Sequence, residues 1–238
     1  MYQEWAPPED LAPFVRCLWS ATYSADGPGH TVLPDGCIDV LFAHGEVPRA
    51  IVAGAMTAPL HVSPERTRIV AARFAPGCAR AFLRDDAVHF TDAVVDIADA
   101  RRDGAIFAER FAATAPPRQA VLLVDYLRSA FVDADVDANV RAAVERLTRP
   151  ARVGDVSTAL GLTRQTLART FRRHVGLTPK AFGRIMRMQR SVSALRRGGA
   201  PLAEIALGCG YADEAHLANE MRRLTGTSPN AFRRAACA

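Results

Sequence analysis

The C-terminal part of this chain contains one pattern written twice, at an offset of 50 residues. Laid over Leu217–Phe232, the stretch Leu167–Phe182 places Leu167 on Leu217, Ala168 on Ala218, Arg172-Arg173 on Arg222-Arg223 and Gly176 on Gly226. Pro179, Ala181 and Phe182 then fall on Pro229, Ala231 and Phe232 without a gap. Upstream the register slips by one residue, so that Val153, Asp155, Val156 and Gly161 answer Leu202, Glu204, Ile205 and Gly210. A repeat this detailed means one small structural unit used twice, and any fold for the chain has to accommodate both copies.

Each copy has the layout of a helix-turn-helix. A short helix with apolar patterning (Asp155 to Leu160, or Glu204 to Leu207) ends near a glycine, and a second helix starts about three residues later. Leu167, Phe171 and Val175 recur every four residues and paint one face of that second helix. Gly176 and Pro179 end it, because glycine suits the turn after a helix and proline cannot continue one. The opposite face carries Arg164, Gln165, Ala168, Arg169, Arg172 and Arg173, a polar cationic strip on the helix that would lie in a DNA major groove. In the second copy the corresponding strip is Glu214, Ala215, Ala218, Asn219 and Arg222, with Asp213 at its head and Glu220 beside Asn219.

Charge follows the same division. Residues 149–238 hold sixteen Arg and Lys against five Asp and Glu, a formal +11, while residues 1–148 hold fourteen against twenty, a formal −6, which together give the +5 of the whole chain. Only one end of such a molecule wants a polyanion. Between the repeats, Phe182 to Arg197 reads as one helix bounded by Pro179 and Gly198-Gly199, its apolar side formed by Phe182, Ile185, Met186, Val192 and Leu195. At 1.5 Å per residue it spans roughly 24 Å. A rigid spacer of that size suits two reading helices in successive major grooves, about 34 Å apart.

Residues 139–234 resemble the DNA-binding domain of the AraC/XylS family of transcription regulators, which contains two helix-turn-helix motifs. The resemblance is carried by Gly161-Leu162-Thr163, Leu167-x-Arg169-x-Phe171 and Gly176-Leu177-Thr178-Pro179. The second copy supplies Ile205-Ala206, Gly208-Cys209-Gly210-Tyr211, Gly226-Thr227-Ser228-Pro229 and Phe232-Arg233. The family implies double-stranded DNA as partner, with Arg169 where a base-contacting arginine usually stands; its guanidinium fork fits guanine O6 and N7. The second copy departs from the family pattern, with Asn219 where arginine is common and Met221 where phenylalanine is common. The first helix is therefore expected to supply most of the affinity.

The N-terminal half reads differently. A short helix is expected at Pro8 to Phe14, then a strand at Val15 to Tyr23. Thr31-Val32-Leu33, the turn Pro34-Asp35-Gly36 and Cys37 to Phe42 read as strand, turn, strand. Further strands are expected at Ala50 to Ala53 and at Thr67 to Phe74, where Ile69, Ala71 and Arg73 alternate with Val70, Ala72 and Phe74. Beyond Pro76-Gly77, helical periodicity marks Cys78 to Leu83, Phe90 to Ala98, Gly104 to Ala112 and Arg118 to Phe131. The expectation is an α+β domain over residues 1–132, a sheet or small barrel followed by helices. An acidic linker at 133–138 then leads to an all-α double helix-turn-helix domain at 139–238, whose first helix is capped by Asn139 and buries Val140, Ala143, Val144 and Leu147.

Pro34-Asp35-Gly36-Cys37-x-Asp39, with Arg73-Phe74-x-Pro76-Gly77 downstream, resembles the N-terminal domain found on a subset of AraC-type regulators. Asp35, Cys37, Asp39, Arg73 and Cys78 are the candidate sensing residues for a small-molecule or redox effector. Against that stands the plainer interpretation, a hairpin turn at Asp35-Gly36 and a small buried residue at Cys37. His30, His44, His61 and His89 lack metal-ligand spacing, so neither a metal nor another cofactor is expected. No nucleophile elbow, P-loop or paired-carboxylate motif points to an enzyme. Met1 to Asp10 is polar and acidic without an apolar core, no run could span a membrane, and five irregularly spaced cysteines suit reduced thiols, so a cytoplasmic setting is expected. With the resemblance, the expectation is a sequence-specific transcription regulator in which a ligand- or stress-sensing and dimerisation domain governs an AraC-like DNA reader, as a possible homodimer. The alternatives are a cysteine-based alkyl acceptor and a constitutive DNA-binding protein whose N-terminal domain only dimerises.

Overall fold

The computed structural model describes residues 1–132 and 134–236. Strands β1 (Tyr2–Trp5), β2 (Val15–Tyr23), β3 (His30–Val32), β4 (Asp39–His44), β5 (Arg49–Ala53), β6 (Leu60–Val62), β7 (Thr67–Phe74) and β8 (Val94–Asp96) occupy the N-terminal half. Six of them form one antiparallel sheet in the order β1-β2-β7-β4-β5-β8, and β3 pairs with β6 as a separate ribbon. The period-2 alternation of β7 sorts its side chains as expected. Val70, Ala72 and Phe74 face the main core with Leu18, Val40 and Phe42, whereas Ala71 packs on the other face with Cys17, Trp19 and Ala21.

Helices α1 (Ala79–Leu83), α2 (Ile97–Ala100), α3 (Gly104–Ala113) and α4 (Pro116–Phe131) follow, and the inner face of the sheet is closed by aromatic rings. Phe42 stacks on Phe111 with centroids 4.3 Å apart and meets Phe107 edge-on at 5.2 Å, and Tyr126 stacks on Phe107. The interior of the sheet domain is thus filled by its own side chains.

The C-terminal half is helical: α5 (Ala138–Thr148), α6 (Val153–Ala159), α7 (Arg164–Val175), α8 (Pro179–Arg197), α9 (Leu202–Cys209), α10 (Glu214–Thr225) and α11 (Pro229–Ala236). The sequence repeat reappears in the helix ends. Thr163 Oγ1 accepts from Thr166 N and caps α7, while Asp213 accepts from His216 N and caps α10. Thr178 Oγ1 accepts from Ala181 N ahead of α8, and Ser228 Oγ from Ala231 N ahead of α11. Gly176 and Gly226, both with positive φ, end α7 and α10.

Several local expectations are corrected. Pro8 to Phe14 is a run of turns rather than a helix, since Pro13 can neither donate a helical hydrogen bond nor clear the preceding turn. Pro34–Gly36 is not a hairpin turn: β3 pairs with β6, β4 pairs with β5 and β7, and the segment between swings out to meet α8. Phe90 to Ala98 is largely not helical, because Val94 and Val95 extend into an edge strand against β5 and Asp96 caps only the short α2. Asp137, not Asn139, caps α5, its carboxylate accepting from both Asn139 N and Val140 N. Helix α8 begins at Pro179, a proline placed where its missing N–H is not needed, and its 19 residues span about 28 Å. Strands β1, β6 and β8 were not foreseen. Of the expected linker, Asp133 lies outside the described residues, and Val136 is buried. One apolar core runs without a break from Phe42 and Phe111 through Phe171 and Phe182 to Leu217 and Met221.

Candidate nucleic-acid interface

In α7 the expected division of faces holds: Leu167, Phe171 and Val175 are buried, and Arg164, Gln165, Arg169 and Arg172 are exposed with Ala168 half-buried between them. Among the described residues Arg164, Arg169 and Arg172 have no acidic partner within ion-pair distance. Arg173 departs from this strip. Its Nε lies 2.8 Å from Asp86 Oδ1, which also accepts from Arg80 Nε at 2.9 Å, and the bonds from Arg173 and Arg80 hold the Asp86 carboxyl below its ordinary range. One cation of α7 is therefore held by the acidic half of the chain.

The second helix is less acidic towards solvent than its sequence suggests. Asp213 is spent on capping α10, accepting from His216 N at 2.7 Å. Glu220, read from sequence as a carboxylate beside the DNA strip, is buried and ion-paired to Arg184 and Arg187 of α8. Burial works against its ionisation, but the bonds from Arg187 and Arg184 prevail and hold its pKa below the usual carboxylate range. Glu214, Ala215, Asn219 and Arg222 stay exposed with Ala218 half-buried, and Arg222 NH1 donates to Asn219 Oδ1 at 3.3 Å.

Between the two units lies a cleft of about 1000 Å³, lined by Arg149, Arg152, Lys180, Arg184, Arg187 and Arg223 and reaching Asn219. Apart from Arg223, the sequence pattern does not single these cations out, because they come from three separate segments, the α5–α6 connection, α8 and α10, that only the fold collects. Lys180, Arg184 and Arg187 project from one side of α8; at 100° per residue, Phe182, Met186 and Gln189 project from the opposite side, which faces the N-terminal half.

That opposite side is where the candidate sensing residues sit. Asp35, Cys37, Asp39 and Arg73 converge on the outer face of the sheet and the loop beside it. The β-register sets Arg73 opposite both Cys17 and Asp39. Arg73 Nε and NH2 lie 3.0 Å from the Asp39 oxygens and Nε is 3.3 Å from Asp35 Oδ2, while Trp19 Nε1 donates to Asp39 Oδ2 at 3.1 Å. Burial pushes Asp39 up to about 6 against the pull of Arg73. Cys37 is buried with Arg16 NH1 3.6 Å from its sulfur, and burial raises its thiol well above the ordinary range, contrary to what a reactive sensing thiol needs. Cys78 takes no part in this cluster; it is buried at the head of α1, its thiol bonded to Pro13 O and pushed up to about 11. The four candidate histidines are separately engaged: His30 stacks on Tyr23, His61 bonds Thr31, His44 bonds Gln119 and His89 bonds Asp85. Among the described residues no group of three metal-ligating side chains converges, and no helix is long and apolar enough to cross a membrane.

The loop that carries Asp35 and Cys37 touches α8 directly. Gln189 Nε2 donates to Pro34 O at 2.6 Å, and Gly36, at φ +75°, lies against the Phe182 ring with no room for a side chain. A second contact forms where Thr91 Oγ1 donates to Gly176 O at 2.7 Å, at the end of α7.

Residues 156–235 match a family model described as a helix-turn-helix domain, and residues 3–96 match one described as a domain of unknown function (DUF6597). A putative AraC-like transcription regulator from Streptomyces antibioticus is 34% identical over 82 residues, covering 34% of this chain and 27% of that protein. The HTH-type transcriptional activator RhaS of Escherichia fergusonii is 32% identical over 78 residues, covering 33% of this chain and 28% of the relative. The match thus spans little more than a quarter of either relative's length. Among solved structures, ToxT from Vibrio cholerae aligns over 91% of this chain and 98% of its own at 12% identity, with a TM-score of 0.47. The chain thus matches a DUF6597 domain over residues 3–96 and a helix-turn-helix domain over residues 156–235, and part of it is similar to AraC-like transcription regulators.

Proposed function

We propose that the chain is a transcription regulator that reads promoter DNA through α7 and α10 and whose DUF6597 half governs that reading. The observation that carries this is the pair of equivalent, equally capped reading helices held on one strut, α8, with a basic cleft between them. In this scheme Arg164, Gln165, Arg169 and Arg172 make the main base and phosphate contacts, and Ala215, Ala218, Asn219 and Arg222 a narrower set. The sensing half reaches the reader at the Pro34–Cys37 loop on α8 and, around the end of α7, at the Asp86–Arg173 pair and the Thr91–Gly176 hydrogen bond. An effector that rearranged the Asp35–Arg73–Asp39 cluster would move the first of these.

Selection of duplexes from a random pool by the full chain tests the proposal. The expected outcome is a site with two blocks about one helical turn apart, bound with an affinity that falls steeply with salt as phosphate counterions are released. Arg169→Ala should weaken binding by about 1–3 kcal/mol and relax one base position; Asn219→Ala should do less. No enriched duplex, or binding indifferent to salt, refutes the function, and a larger effect at Asn219 reverses the ranking of the two helices.

A further inference from the structure

Two reading helices on one protein are useful only if the angle and distance between them are fixed. In this chain both units pack on α8, so whatever attaches each reading helix to α8 sets that geometry. The attachment of α10 has a specific form. Glu220, with its side chain 5% exposed, accepts from Arg184 Nε at 2.8 Å and NH2 of Arg187 at 2.8 Å on Oε2, and from Arg187 Nε at 3.0 Å on Oε1. The Arg187 fork is bidentate, the geometry that fixes orientation as well as distance. The same guanidinium donates to Gly210 O in the turn of the second unit and lies over the Tyr211 ring, 4.6 Å from its centroid. Among the described residues, every side-chain hydrogen bond and ion pair between α8 and α10 ends on Glu220. The equivalent residue of the first unit is Thr170, so the repeat does not require a carboxylate here.

We infer that Glu220 is a positioning residue: clamped by Arg184 and Arg187, it locks α10 to the strut and thereby fixes the phase between the two reading helices, and with it the half-site spacing the protein accepts. Its carboxylate faces α8 and not the DNA. The two arginines, which by charge alone would be assigned to phosphates, are occupied within the protein. Asn219, the adjacent residue on α10, owes its aim to this clamp. The inference rests on the proposal that the chain reads DNA with both helices, and it makes a mechanical statement that can be checked without DNA.

The test uses the full chain and Glu220→Gln, with Arg187→Lys as a second variant that breaks the bidentate clamp from the other side while keeping the charge of the cleft. The DNA probes are duplexes selected by the unaltered chain, the same duplexes with the second block scrambled, and versions with one base pair added or removed between the blocks. Both variants should bind the complete site at least tenfold more weakly, bind the scrambled duplex within twofold of the unaltered chain, and lose most of the preference for one spacing. Equal weakening on complete and scrambled sites would mean a general structural role, and an unchanged spacing preference would mean no role; either overturns the inference. Nitroxide labels at Ala159→Cys and Leu207→Cys, exposed positions on α6 and α9, in a Cys237→Ser background, give the mechanical readout. Their distance distribution by double electron–electron resonance should broaden in Glu220→Gln; an unchanged width sinks the clamp. If the unaltered chain selects no duplex, the proposed function fails, and the label distances alone decide the clamp.

Discussion

Substituting Gly36 with alanine should show how tightly the two halves are coupled. Gly36 sits at φ +75°, where an L-residue costs roughly 1–2 kcal/mol relative to glycine. A Cβ built there would lie 2.6 and 2.8 Å from two ring atoms of Phe182 and 3.4 Å from Met186 Cε, so the ring has to move. Phe182 is fully buried and meets the Phe171 ring at 5.4 Å, edge to face, which leaves little space to absorb the shift. Overpacking of this kind costs about 1–3 kcal/mol. Together the two effects predict a loss of ~2–5 kcal/mol, or roughly 4–20 °C in the melting temperature of a chain this size. Thermal unfolding should be measured for Gly36→Ala, Phe182→Leu and the double variant. In the Phe182→Leu background the alanine should lose most of its steric effect and retain about 1–2 kcal/mol of backbone strain. If the cost of Gly36→Ala is the same in both backgrounds, the loop does not bear on that ring and the coupling argued here is wrong.

Two further outcomes are expected. Because folding raises Asp39 to about 6, above the ~3.9 of a free aspartate, this group alone makes the fold more stable as pH falls from 7 towards 4. Its protonation should appear as a fluorescence step near pH 6 from Trp19, which donates to it; Asp39→Asn should abolish the step, and a step that survives points elsewhere. As for the cysteines, Cys17, Cys37, Cys78 and Cys209 are all buried with raised thiol pKa values, so a maleimide should modify them only slowly in the folded chain. Rapid mass-mapped labelling at Cys37 would restore a sensing thiol.

The C-terminal half was legible in the sequence because its signals are local. Capping residues, apolar residues every four positions and glycines at helix ends all act within one or two turns, and their repetition exposed them twice over. The strands β1, β6 and β8 escaped because three or four residues on a sheet edge carry too little alternation to recognise. Glu220 was misjudged for a different reason. Its position on α10 could be counted, but whether that face met solvent or α8 depended on how two helices cross. Arg173 belongs to the same class, since its partner Asp86 stands 87 residues away along the chain. The sequence named Asp35, Asp39 and Arg73 together as candidates, but did not show that they close into a set of half-buried ion pairs, because that depends on the register of β4 and β7.

The face of α8 that carries Phe182, Met186 and Gln189 has a consequence for how such proteins can be recombined. A chimera that cuts the chain between residues 133 and 138 and joins the helical half to an unrelated N-terminal domain would carry this face uncovered. It would also leave Val140 and Val175 without the backbone of Gly77 that lies against them. A replacement domain has to offer its own loop without side-chain bulk at the Phe182 ring, and its own acceptor for the Gln189 amide. The two halves of this chain are therefore not interchangeable parts on a string; each is shaped to the other.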